Sequence, residues 1–68
     1  MPIEIVVNGE SRTVPPGLTV GGLLACLGLD PARVAVELDR RIVRKAEWDS
    51  VPVAAGARLE IVQFVGGG

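Results

Sequence analysis

The hydrophobic positions along this chain change period twice. Ile3, Ile5 and Val7 alternate with Glu4 and Val6, the two-residue period of a half-buried strand. Asn8-Gly9 follows and predicts a two-residue hairpin loop of type I′, in which both central residues need positive φ. "ESRTV" (10–14) is then expected to return antiparallel. A loop of that length sets Ile3 opposite Val14 but Ile5 opposite Arg12, so either Arg12 snorkels at a sheet edge or the turn is longer. "PPG" (15–17) stops the strand, because proline removes a ladder donor and punctuates the chain.

From Thr19 the period becomes helical. Val20, Leu23, Leu24 and Leu27 fall at i, i+3, i+4 and i+7, one face of a helix. Thr19 suits the N-cap. Gly28 suits a left-handed C-terminal cap, with Leu29 as the apolar contact behind it. Gly21 and Gly22 each cost such a helix ~1 kcal/mol relative to Ala, so it depends on packing against a sheet. Asp30-Pro31 predicts a capped single turn. "VAVEL" (34–38) reads as a strand, "DRR" (39–41) as a charged turn and "IV" (42–43) as a short strand. "RKAEWDSVPVAAG" is irregular, with Trp48 as its anchor. "RLEIVQFV" (58–65) reads as the last strand, with Leu59 and Ile61 alternating against Glu60 and Val62.

Strands on both sides of one helix predict an α+β fold with a mixed sheet wrapped around that helix. This is the β-grasp, or ubiquitin-like, arrangement. In it the first and last strands are parallel neighbours and the last strand is central. Residues 1–65 are read as the β-grasp domain and residues 66–68 as a flexible C-terminal glycine tail. If Leu59 and Ile61 face the helix, then Glu60, Val62 and Phe64 face away, and Val6 does so on the neighbouring strand. An outward cluster of Val6, Val62 and Phe64 is expected to be an exposed apolar docking patch.

Composition narrows the function more by exclusion than by signature. The chain has 68 residues, a hydrophobic share of 49% and an aromatic share of 3%, so its core is expected to be aliphatic. Seven basic and eight acidic residues give a net charge of −1, which is no electrostatic footprint for nucleic acid. Glu4 near the start is wrong for a secretory leader, and the longest uncharged run (14–29) is too interrupted to span a bilayer. The expected setting is soluble and cytoplasmic, with no membrane partner. With no His and no Tyr, a Ser-His or Cys-His couple is ruled out. Cys26, the single cysteine, provides neither a disulfide nor a zinc site and is expected to be a small buried hydrophobe. The carboxylates show no acid/base spacing, and "GLTVGG" lacks the Lys-Ser/Thr of a phosphate loop. "DRRIVRK" carries four basic residues and one acidic one and reads as a solvated turn, or as a surface facing an acidic partner.

The remaining feature is the end, "IVQFVGGG". A terminal carboxylate is ionised at neutral pH and is a usable nucleophile toward the α-phosphate of ATP. Attack yields an acyl-adenylate that a sulfur donor can convert further. Gly66, Gly67 and Gly68 have no Cβ to clash with the walls of a partner's channel, and three drawn-out residues reach roughly 10 Å. Glycine-rich ends also arise simply as frayed termini. Attachment directly to the last strand of a β-grasp favours the reacting-group reading.

The same stretches resemble the ThiS family, the ubiquitin-like sulfur carriers of thiamine biosynthesis. The resemblance is carried by "VNGE" after the first strand, "TVGGLL" opening the helix, "VAVELDRRIVRKAEW" and the ending "EIVQFVGGG", and it covers nearly the whole chain. The sequence departs from the family pattern at Asp39, Arg44 and Ala57, where many members carry Asn, Pro and an acidic residue. The resemblance implies that a ubiquitin-activator-like adenylating enzyme consumes ATP to make the acyl-adenylate at Gly68. A sulfur relay fed by a cysteine desulfurase then makes the thiocarboxylate, and thiazole synthase takes the sulfur. On this reading the chain binds no cofactor, is a cosubstrate rather than an enzyme, and presents Val65, Gly66 and Gly67 to the partner's channel. Other readings stay open: a sulfur carrier for molybdopterin synthesis or tRNA thiolation, or a non-carrier ubiquitin-like modifier or interaction module.

Overall fold

The turn at Asn8-Gly9 takes the shape its two residues favour. In the computed structural model, which describes residues 1–64, Asn8 has φ 51° and Gly9 φ 81°. Strand β1 (Ile3–Val7) therefore folds straight back on β2 (Glu10–Val14). The register sets Ile3 opposite Val14 and Ile5 opposite Arg12, as a two-residue loop requires. Arg12 meets the awkward register by snorkelling. It is exposed on edge strand β2 and lines a hollow with Val7, Leu27 and Ile61, so its stem lies along apolar surface while its guanidinium stays in water.

Helix α1 (Val20–Cys26) is seven residues long, too short to stand alone in water. The Thr19 hydroxyl accepts from Gly22 N–H at 3.2 Å. At the other end Leu29 N–H donates to Leu24 O and Gly28 N–H to Ala25 O, at 3.0 and 3.1 Å, with Gly28 at φ 72°. This pair of bonds around a left-handed residue is a Schellman cap. Val20, Leu23 and Leu24 are buried against the sheet. Gly21 has a reason beyond propensity: its N–H donates to Trp48 O at 3.0 Å, and an added Cβ would come within 2.5 Å of Asp49 Oδ1. Cys26 is exposed, contrary to expectation. At 100° per residue it lies about 110° from the centre of the apolar face, on the flank rather than beneath it.

Asp30 caps the single turn Pro31–Arg33 by accepting from Ala32 N–H at 2.9 Å. The chain then runs through β3 (Val34–Leu38), a turn at Asp39-Arg40 with φ 48° and 70°, and β4 (Arg41–Val43), which starts one residue earlier than the sequence pattern predicts. The irregular segment is anchored as anticipated. Trp48 is buried and its Nε1–H donates to Val43 O at 2.9 Å. The strand expected over 58–65 appears as β5 (Arg58–Gln63), and Phe64 N–H still donates to Arg33 O at 2.7 Å.

The described strands form one mixed sheet in the order β2-β1-β5-β3-β4. β5 is parallel to β1 and antiparallel to β3, and α1 covers the inward face. This is the expected α+β β-grasp with its last strand central. Among the described residues no helix is long and apolar enough to cross a membrane.

Replacing Trp48 by Phe leaves the buried Val43 carbonyl without its donor, a loss of ~1–3 kcal/mol. For a domain of this size that lowers Tm by at least ~4 °C, which a thermal melt checks.

Candidate functional site

The interior holds no chemistry. Every buried residue among those described is apolar, and no three His, Cys, Asp or Glu side chains among them gather where a metal ion would sit. What remains is the outer face of the sheet and the strand that precedes the chain end in sequence.

β5 builds both. Along it Leu59 and Ile61 point inward and are buried, while Val62 and Phe64 are each 58% exposed. Gln63 shares the inward side of the strand but lies past the core, exposed. Outward Val62 pairs with Ala35, and Glu60 pairs with Glu37. On β4, Ile42 lies opposite Glu37 and is 80% exposed. Ala35, Ile42 and Val62 line one shallow hollow, with Phe64 two residues further along the same face. Exposed aliphatic and aromatic groups gathered on one face are the usual mark of a docking surface.

Val6 is also on the outer face, half-buried, but it does not join that cluster. The parallel register puts Val6 beside Arg58, four residues back from Val62 along β5, or roughly 13 Å. Its hollow is polar, lined with Glu37, Arg40, Arg58 and Glu60. Ile42 takes the place expected of Val6. The signal for Ile42 was the strand period itself: Val43 is buried beneath β4, so its neighbour must face out.

The face also carries an electrostatic feature. Glu37 and Glu60 are direct cross-strand partners, and like charges so placed repel. The ion pair formed among the described residues is Arg33–Asp30, at 3.7 Å on the surface, so neither glutamate has a cation within salt-bridge reach.

The tail residues Val65, Gly66, Gly67 and Gly68 lie outside the described residues, as does the boundary between 65 and 66. Their approach is described. β5 is gripped on both flanks by turn residues in the left-handed conformation. Asp39 exchanges bonds with Arg58, its N–H donating to Arg58 O at 2.7 Å and its Oδ1 accepting from Arg58 N–H at 3.0 Å. Asn8 N–H donates to Leu59 O at 2.9 Å, and the Asn8 side chain reaches on to Ile61.

Comparison with known proteins gives this geometry a context. The family model described as the ThiS family matches residues 5–68. The chain is 46% identical over 66 residues to a thiazole synthase of Paramagnetospirillum magneticum and 36% identical over 66 residues to one of Magnetococcus marinus. The matches cover 97% of this chain but only 20% of each of those proteins. Among solved structures, the crystal structure of the thiamine biosynthesis protein ThiS from Geobacter metallireducens superposes with a TM-score of 0.83 at 32% identity, covering 97% of this chain and all of that one. A solution structure from the same organism gives 0.79 at 33% identity, covering 97% of this chain and 88% of that one. A designed protein templated on human erythrocytic ubiquitin shares the fold, with a TM-score of 0.55 at 20% identity.

Phe64→Ala is expected to shift stability by no more than ~0.5 kcal/mol, as surface changes do, whereas Leu59→Ala one face away costs ~2–5 kcal/mol. Paired thermal melts check the contrast.

Proposed function

The chain belongs to the ThiS family, and from that premise we propose that it is a sulfur carrier whose working group is the carboxyl of Gly68. The observation that carries the reading is the place of β5. The central strand is clamped between β1 and β3, and Gly66, Gly67 and Gly68 follow it in sequence after Val65. A rigid base with a slender end suits delivery of a terminal carboxylate into another protein's site.

The chemistry takes three steps. A carboxylate oxygen of Gly68 attacks the α-phosphorus of ATP, pyrophosphate leaves, and the carbonyl carbon becomes a mixed anhydride with AMP. The terminal sulfur of a relay persulfide then attacks that carbon and displaces AMP to give an acyl disulfide, and a thiol of the relay cleaves its S–S bond, ending in a disulfide itself and leaving the thiocarboxylate. ATP is consumed in the site of a ubiquitin-activator-like adenylating enzyme, and the sulfur comes through a relay fed by a cysteine desulfurase. The chain itself is a cosubstrate and holds no cofactor. Dependence on ATP places this work in the cytoplasm.

Val62, Phe64 and Ile42 form the face that docks on the activating enzyme, with Val6 at its margin. A partner surface that offers apolar groups to this patch and a cation to the Glu37–Glu60 pair fits both its shape and its charge. Thiazole synthase is the acceptor of the sulfur. Support for that assignment comes from the relatives named thiazole synthase, in which a segment like this chain makes up 20% of the length.

Intact mass spectrometry after incubation with ATP, the adenylating enzyme and a sulfur source tests the reading. The expected result is the mass gain of one oxygen exchanged for sulfur, abolished by deleting Gly68 and slowed by Phe64→Ala. A gain that survives the deletion, or no gain in the intact chain, overturns it.

A further inference from the structure

β1 and β5 do not end together. β1 stops at Val7, where the chain turns, and its pairing with β5 reaches only Leu59. β5 continues through Ile61 to Gln63. On the β3 side this continuation stays paired, with Val62 opposite Ala35 and Phe64 N–H donating to Arg33 O. On the β1 side no strand among the described residues is left to pair with it. Backbone groups there need a partner or water.

Asn8 supplies the partner. Its Nδ2–H donates to Ile61 O at 3.0 Å, and its Oδ1 accepts from Ile61 N–H at 2.7 Å. A primary amide presents a donor and an acceptor side by side, as a backbone residue in a ladder does. The side chain thus extends the parallel ladder by one position after the main chain has turned away. Few residues can do this. Asn8 sits at φ 51°, where Asn and Asp are tolerated and Gly is unstrained. Gly has no side chain, and an ionised Asp has acceptors but no donor. Among residues at ease in this backbone, asparagine alone meets both demands.

We propose that Asn8 is a positioning residue for the C-terminal tail, setting the line along which the chain leaves the sheet by closing the second flank of β5 at Ile61. For its functional half the proposal rests on the sulfur-carrier reading. Gly68 follows Ile61 by seven residues, so each direction that β5 samples at Ile61 widens the range over which the partner must find the carboxyl group. Asn8 touches neither ATP nor the carboxyl group; it acts through β5, by limiting the directions the partner must select among.

Two variants of the full chain test this. Asn8→Gly keeps the turn and removes both side-chain bonds, and Asn8→Asp keeps the acceptor and loses the donor. Amide exchange of Ile61 should accelerate at least tenfold in Asn8→Gly relative to Val6, whose N–H donates to the Ala57 carbonyl in the same ladder, with a smaller acceleration in Asn8→Asp. In adenylation by the activating enzyme, KM for Asn8→Gly should rise at least threefold with kcat unchanged, and Asn8→Asp should fall between it and wild type. Unchanged Ile61 exchange, a KM equal to wild type, or Val6 exchange accelerating as much as Ile61 overturns the proposal. A wild-type chain that accepts no adenylate overturns the carrier reading and the tail-positioning role together, and the exchange result then still judges the Asn8–Ile61 clamp by itself.

Discussion

The insertion of β5 between β1 and β3 is the constraint on which the structure depends. Without it the chain is two separate hairpins, each of which is marginal in water. With it, Leu59 and Ile61 enter the core beside Ile5 and Val36, at about 1.5–3 kcal/mol for each large aliphatic side chain fully buried. The contacts are non-local: Val6 N–H reaches Ala57 O, and the Asn8 side chain reaches Ile61 across 53 positions. Pairings of this separation form late and slowly, so the sheet is complete only once the C-terminal strand has docked. The left-handed turn residues Asn8 and Asp39 hold that strand from its two flanks, which makes the hairpin turns part of the sheet's central joint.

The helix shows the same dependence from the other side. Seven residues with two glycines do not form a stable helix in isolation. Thr19 and the Gly28 cap satisfy its ends, and the buried Val20, Leu23 and Leu24 supply the energy. Such a small domain has no interior to spare for polar chemistry, and its described interior is wholly apolar. The polar side chains of the described residues are displaced outward, to the surface.

The core and the outer apolar face are also tied to one another. Alternate residues of β5 serve the two, so a slip of one position would drive Val62 and Phe64 inward and expose Leu59 and Ile61. The clamps at Arg58 and Ile61 resist that slip. A change that loosens either clamp therefore disturbs the core and the outer apolar face together, even when it lies on neither surface.

By itself the sequence determined what depends on neighbours a few residues away. Asn8-Gly9 dictated a two-residue turn, and the turn dictated the register that sets Ile5 against Arg12. The spacing of Val20, Leu23 and Leu24, between Thr19 and Gly28, dictated a capped helix. The alternation in "RLEIV" placed Leu59 and Ile61 on one face and Glu60 and Val62 on the other. Tertiary structure decided the offsets between segments far apart in the chain. The stagger of β1 against β5 put Val6 beside Arg58 and away from Val62, and the pairing of β4 with β3 brought Ile42 to the apolar patch instead. The flank position of Cys26 was legible too, since the helical period alone sets it about 110° from the centre of the apolar face. Asn8 was legible as a turn residue, but its hold on Ile61 was not. Backbone conformation and side-chain period are properties of a few consecutive residues, whereas the alignment of two strands is chosen by how their side chains pack once the whole chain has closed on itself.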